Sequence, residues 1–237
     1  MNVKTHDYEK YASEYARLGM TGTYLLAFRD VPGLIKEYSK GGKALDYGCG
    51  AGRSTVFLKG LGLDVIGVDI SKDMLEQTKT LDKDGEYRLI TSGNLPFDDE
   101  SFDIIFSSFV FLEVSSLNEI EKILMEMKRV LKKDGIIVFV TSSMEAPRGN
   151  WVSFSYDFPE NKRVINSGDR VKLLVRGTNI ILYDYYWTDD DYKRVLSNAD
   201  LVPVKIHKPL GRTDDRIEWL DEKKLPSITV YVIGKKG

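Results

Sequence analysis

Asp46 stands two residues ahead of Gly48, and further glycines follow at Gly50 and Gly52, directly before Arg53-Ser54. An acid beside three closely spaced glycines suits a ligand that must approach bare backbone. Without a Cβ the chain turns sharply and presents its N–H groups, and a helix N-terminus, to whatever binds there. A second acid, Asp69, closes the run Leu63-Asp64-Val65-Ile66-Gly67-Val68, 17 residues beyond Gly52. Two later candidates are Glu113, which follows the apolar run 102–112, and His207, one of only two histidines.

Spacing selects the ligand. A dinucleotide fingerprint G-x-G-x-x-G beginning at Gly48 would need a glycine at position 53, where the chain has Arg53. Asp46 would also repel a pyrophosphate. It suits a positive amine instead, and S-adenosylmethionine carries that amine, a carboxylate for the backbone N–H groups, and no phosphate. Asp69 is placed to accept both ribose hydroxyls. Its alternative use, as an N-cap, is already covered by Ser71 ahead of a helix over 72–80.

The elements that must position these residues are legible in the apolar pattern. Lys43-Ala44-Leu45 reads as the end of a strand and Arg53 as the start of a helix reaching about Lys59. Strands follow over 63–69, 86–91, 101–109 and 136–141, with an amphipathic helix over 117–132 whose basic residues gather at its C-terminal end. A sixth strand over 202–208 contains His207, and a seventh over 227–234 alternates with β-branched residues. Earlier, 6–18 is helical in pattern, with Tyr8, Tyr11 and Tyr15 on one face, and 25–38 reads as a helix interrupted by Pro32-Gly33.

In combination, D-Y-G-C-G-A-G-R-S, V-I-G-V-D-I-S and L-P-F-D-D-E-S-F-D resemble the class I S-adenosylmethionine-dependent methyltransferases, in particular the small-molecule branch. The resemblance covers roughly residues 8–145. It implies an α/β fold: a doubly wound, Rossmann-like seven-stranded sheet with the last strand antiparallel and helices on both faces. The whole chain, 1–237, is then one methyltransferase domain, with a helical lid over 1–40. The resemblance gives Tyr11 and Tyr15 the role of closing that lid over the cofactor; packing on the core is the other use of those rings. Around the cofactor it places Gly48, Gly50, Gly52 and Arg53 of the loop, Ile70 and Met74 against the adenine, Ser92, and Ser107 and Phe109 at the end of the fourth strand. Family members usually carry an Asp four residues before L-P-F. This chain has Thr91 there, whose hydroxyl accepts a single hydrogen bond. Relatives often place a His near Glu113, which is either a capping acid or a group that orients an amine or takes a proton; His207, structural or at the edge of the loop 208–211 facing the site, is the other candidate for a base.

Between the fifth and sixth strands the chain leaves that pattern. Residues 145–187 are rich in aromatics, and 171–176 and 179–183 form a β-hairpin around Gly177-Thr178. Such a β-rich insertion lies at the C-terminal edge of the sheet and is expected to cap the acceptor, or else to serve a homodimer. Thr188 followed by Asp189, Asp190 and Asp191 reads as the capped start of a helix to Asn198.

The expected reaction is in-line methyl transfer to an O or N atom of a small metabolite, for which no metal is required. A net charge of −2 with dispersed Lys and Arg gives no reason to expect a nucleic-acid partner. No apolar run approaches the ~18 residues of a membrane span. A single cysteine, Cys49, with a polar N-terminus suits the cytoplasm. A non-catalytic protein that binds S-adenosylmethionine as a sensor or partner subunit would keep the same loop and acids. Nucleic-acid methylation and a nicotinamide dehydrogenase are weaker alternatives.

Overall fold

A computed structural model describes residues 19–237. Tyr11 and Tyr15, expected to close a lid over the cofactor, fall outside the described residues. Ten strands and six α-helices follow in order. Helix α1 (Thr23–Phe28) and α2 (Val31–Tyr38) lead into β1 (Lys43–Tyr47), α3 (Arg53–Gly60), β2 (Asp64–Asp69), α4 (Lys72–Leu81), β3 (Glu86–Leu89) and β4 (Phe102–Ser108). Helix α5 (Leu117–Val130) and β5 (Leu131–Ser142) come next, then β6 (Phe154–Ser155), β7 (Arg170–Val175) and β8 (Ile181–Tyr185). The chain closes with α6 (Asp189–Asn198), β9 (Leu201–His207) and β10 (Ile228–Lys235).

Seven strands form one sheet in the order β3-β2-β1-β4-β5-β10-β9. Strands β3, β2, β1, β4 and β5 pair in parallel, whereas β10 runs antiparallel to both β5 and β9. The order reverses between β1 and β4, so the crevice beyond their C-terminal ends is where an open α/β sheet receives its ligand. Each face of the sheet has its own apolar layer. Helices α5 and α6 cover one, with Ile120, Ile123, Leu124, Tyr192 and Leu196 buried against Ile105, Phe139 and Tyr231. Helices α1, α2 and α3 cover the other through Leu26, Phe28, Leu34 and Leu58.

Local chemistry sets the ends of these elements. Ser71 caps α4 by accepting from Met74 N, and Ser116 caps α5 by accepting from Glu119 N. Thr188 and Asp191 form a reciprocal capping box at α6. Two boundaries differ from the sequence pattern. The helix expected to reach residue 132 stops at Val130, and β5 begins at once, so that Leu131 pairs with Phe102 instead of continuing the helix. The interruption expected at Pro32-Gly33 lies earlier, at Arg29-Asp30, because Pro32 is tolerated in the first turn of α2, where its missing N–H is not needed.

Strands β6, β7 and β8 form a separate antiparallel sheet with its own small core. Trp151, Phe154, Val171, Leu173, Ile180 and Leu182 are buried in it, and Trp151 Nε1 donates to the Ala146 carbonyl at 2.7 Å. Tyr24 of α1 belongs to the same cluster, its ring 4.7 Å from that of Phe154 in an edge-to-face arrangement. Helix α1 thus packs on the main sheet through Leu26 and Phe28 and on the insertion through Tyr24. Glu222, fully buried, fixes the junction. It accepts from Thr23 Oγ1 at 2.6 Å, Val152 N at 2.7 Å and Leu220 N at 3.0 Å.

Candidate active site

The loop after β1 is built from backbone. Gly48 and Cys49 both donate their N–H to the Val68 carbonyl, at 2.8 and 3.0 Å, which ties the loop to β2. Gly48 has φ 74°, and a Cβ there would stand 2.1 Å from Val110 Cγ2, so only glycine fits on both counts. Gly50, at φ 54°, donates its N–H to Asp69 Oδ2 at 2.8 Å. Asp69 Oδ1 accepts from Ser71 N at 2.8 Å. Burial raises the Asp69 pKa, and the Ser71, Gly50 and Ile70 N–H groups oppose that rise.

A cavity of about 730 Å³ opens from this loop across the C-terminal edge of the sheet to the three-stranded insertion. Gly48, Gly50, Arg53, Asp69, Ile70 and Met74 line one end, with Ser92, Phe109 and Glu113 beyond them. The 92–97 segment is held in place from α5: Arg129 donates to the Leu95 and Phe97 carbonyls, each at 2.9 Å, and Glu126 accepts from Leu95 N. Phe109 has φ 64°, an uncommon backbone conformation for an aromatic residue, and turns the chain out of β4 into the short helical turn Val110–Leu112. That turn delivers Val110 to Gly48 and Glu113 to the cavity.

The far end of the cavity is walled by Tyr24, Phe154, Tyr156, Leu173, Leu182 and Asp184. The half-buried Asp184 carboxyl has its pKa pushed up to about 7 by burial, against the lowering influence of Arg170. Glu113, also half-buried, is raised well above the ordinary carboxylate range by burial and by the Asp184 charge. Burial likewise raises Tyr24 and Tyr156, with the Asp184 charge adding to both. Two acids from distant parts of the chain therefore share an apolar, aromatic compartment in which ionisation of one opposes that of the other.

Five expected site residues do not line this cavity. Asp46 is fully buried beneath the loop, and its Oδ2 accepts from Ser54 Oγ at 2.7 Å and Thr55 Oγ1 at 2.6 Å. Its carboxylate buttresses the first turn of α3 instead of standing in the wall, although Oδ1 has no partner among the described residues. Burial pushes its pKa up to about 6. Gly52, at φ 90°, precedes α3, and its missing side chain makes room for Tyr87 and Thr78. Thr91 is exposed and bridges to Asn94 in a turn. Ser107 is replaced in the wall by Ser108, since successive side chains of a strand alternate faces. His207 sits at the end of β9 with Nε2 2.9 Å from Asp30 Oδ2, in a network with Arg29, Arg212 and Asp215 that ties α2 to the segment before β10. Those partners hold the imidazole away from the cavity.

Asp184 and Tyr156 also line the cavity, along with Tyr24, although the sequence pattern did not single them out. A signal for the first was present: in β8, Leu182 and Asp184 share a face, and an acid at an inward position of an alternating strand is out of place unless it has a polar task.

Residues 45–139 match the family model described as a methyltransferase domain. Over these residues the chain is similar to methyltransferase domains. The chain is 34% identical over 144 residues to the demethylmenaquinone methyltransferase of Bacillus pumilus, an alignment covering 56% of the chain and 60% of that protein. It is 27% identical over 206 residues to an uncharacterised protein of Methanocaldococcus jannaschii, covering 82% of the chain and 75% of that protein. The chain thus spans only part of the length of these relatives. A crystal structure of an S-adenosylmethionine-dependent methyltransferase from Clostridium acetobutylicum superposes with a TM-score of 0.66 at 16% identity, over 97% of this chain and 99% of that one, which establishes the fold. Among the described residues, no helix is long and apolar enough to cross a membrane.

The residues present fit S-adenosylmethionine. Gly48 and Gly50 present backbone to the cavity, and Asp69 holds two carboxylate oxygens at its wall.

Proposed function

We propose that this protein transfers a methyl group from S-adenosylmethionine to an oxygen or nitrogen of a small metabolite held under the β6–β8 insertion. The observation that carries this reading is the continuity of a single cavity from the Gly48–Asp69 end to the aromatic compartment. A donor seated on the loop and an acceptor seated under the insertion would then meet near Phe109 and Glu113. The bound cofactor supplies a sulfonium-activated methyl group. Asp69 would hold the ribose hydroxyls, Ile70 and Met74 the adenine, and the backbone of the 48–50 turn the amino-acid end. Phe109, Tyr24 and Phe154 exclude water and align the acceptor, so that the rate gain comes chiefly from positioning two reactants in one dry compartment. Glu113 faces the acceptor and is placed to take a proton from it.

The test is titration calorimetry. S-adenosylhomocysteine should bind and NAD should not. Asp69→Ala should weaken binding by about 10- to 100-fold, the loss expected for hydrogen bonds to a charged acceptor. Tighter binding of NAD, or unchanged affinity in a folded Asp69→Ala protein, overturns the assignment.

A further inference from the structure

The first turn of α5 carries the spacing Ser116-x-x-Glu119, which ordinarily closes a reciprocal capping box: the serine accepts from the glutamate N–H, and the glutamate side chain returns to the serine N–H. Thr188 and Asp191 make both bonds at α6. At α5, among the described residues, only the first is made, from Glu119 N to Ser116 Oγ at 3.3 Å. The Glu119 side chain instead lines the cavity, and its Oε1 accepts from Ser92 Oγ at 3.2 Å. A carboxylate that leaves its own helix terminus for a cavity wall is placed to meet a ligand.

The surroundings say which part of a ligand. Asp69 ends β2 at the position assigned to the ribose, and Ile90 N donates to the Asp69 carbonyl at 2.9 Å, so the segment leading to Ser92 runs beside it. Here the wall is apolar, made by Ile70, Met74, Ile90 and Ile123, and Ile70 leaves 64% of its surface uncovered. Ile123 lies one helical turn beyond Glu119, on the same face of α5. Apolar walls with a few placed polar groups hold a flat ring by its faces and select it by its edge. A carboxylate accepts hydrogen bonds and donates none, so the edge it selects must donate. Asp73 also lines the cavity, but it is exposed in the first turn of α4, where its charge suits the helix N-terminus.

We propose that Glu119 selects the base of the methyl donor: its carboxylate, fixed by Ser92, accepts from the 6-amino group of adenine and so favours an aminopurine over an oxopurine. This rests on the S-adenosylmethionine reading above and adds to it the group that recognises the base.

Calorimetry on the full chain compares S-adenosylhomocysteine with two analogues altered at C6 of the base: the 6-unsubstituted purine, which lacks the amine, and S-inosylhomocysteine, which carries an oxygen. S-adenosylhomocysteine should bind at least about tenfold more tightly than the 6-unsubstituted analogue, as one hydrogen bond to a charged group requires. Glu119→Ala should bring that ratio to about one, with its melting temperature confirming the fold. If Glu119 served only to hold the 92–97 segment, both ligands would weaken together and the ratio would persist. A persisting ratio overturns the proposal, as does a wild-type ratio near one. Glu119→Gln keeps the size of the side chain and gains a donor, so it should shift the preference toward S-inosylhomocysteine by about tenfold; an unchanged preference overturns the proposal even where the alanine variant does not fold. Failure of all three ligands to bind at millimolar concentrations is a different result: it removes the S-adenosylmethionine reading and the assignment of Glu119 with it.

Discussion

The two ends of the cavity are made by different means. At the cofactor end, the residues come from short contiguous stretches, 48–53 and 69–74, and geometry is set by backbone: two N–H groups on Val68, one on Asp69, and a glycine that no other residue can replace. At the acceptor end, Tyr24, Glu113, Tyr156 and Asp184 are brought together from four separate elements, and the chemistry lies in side chains. A backbone site tolerates few sequences and serves one ligand. A side-chain site on an inserted sheet can change its ligand without disturbing the loop below.

That contrast can be broken most sharply at Gly48. Gly48→Val places a branched side chain on Val110 and forces a positive φ, and S-adenosylhomocysteine affinity should fall by more than about 100-fold, because strain and clash each cost on the order of kilocalories. An affinity near that of the wild type, measured by calorimetry, would mean that the turn is not a contact surface. The next effect concerns the junction of the two ends. Glu222→Ala removes three hydrogen bonds to a buried carboxylate and should cost about 3 kcal/mol in urea unfolding, with a matching loss of melting temperature.

A smaller effect, of opposite sign, is expected at Asp184. Its native pKa of about 7 exceeds the ordinary 3.8, so the native state binds more protons than the unfolded state between these values, and its carboxylate costs stability as pH rises through that window. Asp184→Asn should therefore melt a few degrees above wild type at pH 8, with the gain shrinking as pH falls toward 4. No gain at pH 8 would mean that the carboxylate is already compensated in the free protein. The smallest effect is at His207: His207→Ala should leave methyl transfer close to wild type. A large loss of turnover would bring His207 back into the reaction.

The same contrast decides what could be read from the sequence. The sheet, its antiparallel last strand, the hairpin around Gly177 and the cap at Thr188 all rest on local periodicity and turn chemistry, and the structure places them within a few residues of expectation. Asp69, Ile70, Met74 and Glu113 reach the cavity because each closely follows a strand end. Asp46 was misplaced because spacing locates a residue along the chain but not above or below the loop, and Ser54 and Thr55 draw its carboxylate inward. Ser107 was one residue out of register, which in a strand means the opposite face. Asp184 was hidden among the tyrosines of its hairpin, since its partner Glu113 lies 71 residues earlier (184 − 113) and only tertiary packing joins them.

Glu222 has one more consequence. A single carboxylate fastens α1, the start of the insertion and the chain before β10, so the insertion is bolted along one flank. The turn of the β7–β8 hairpin is held to the same flank, Arg176 donating to the Phe154 carbonyl and to Asn150 Oδ1.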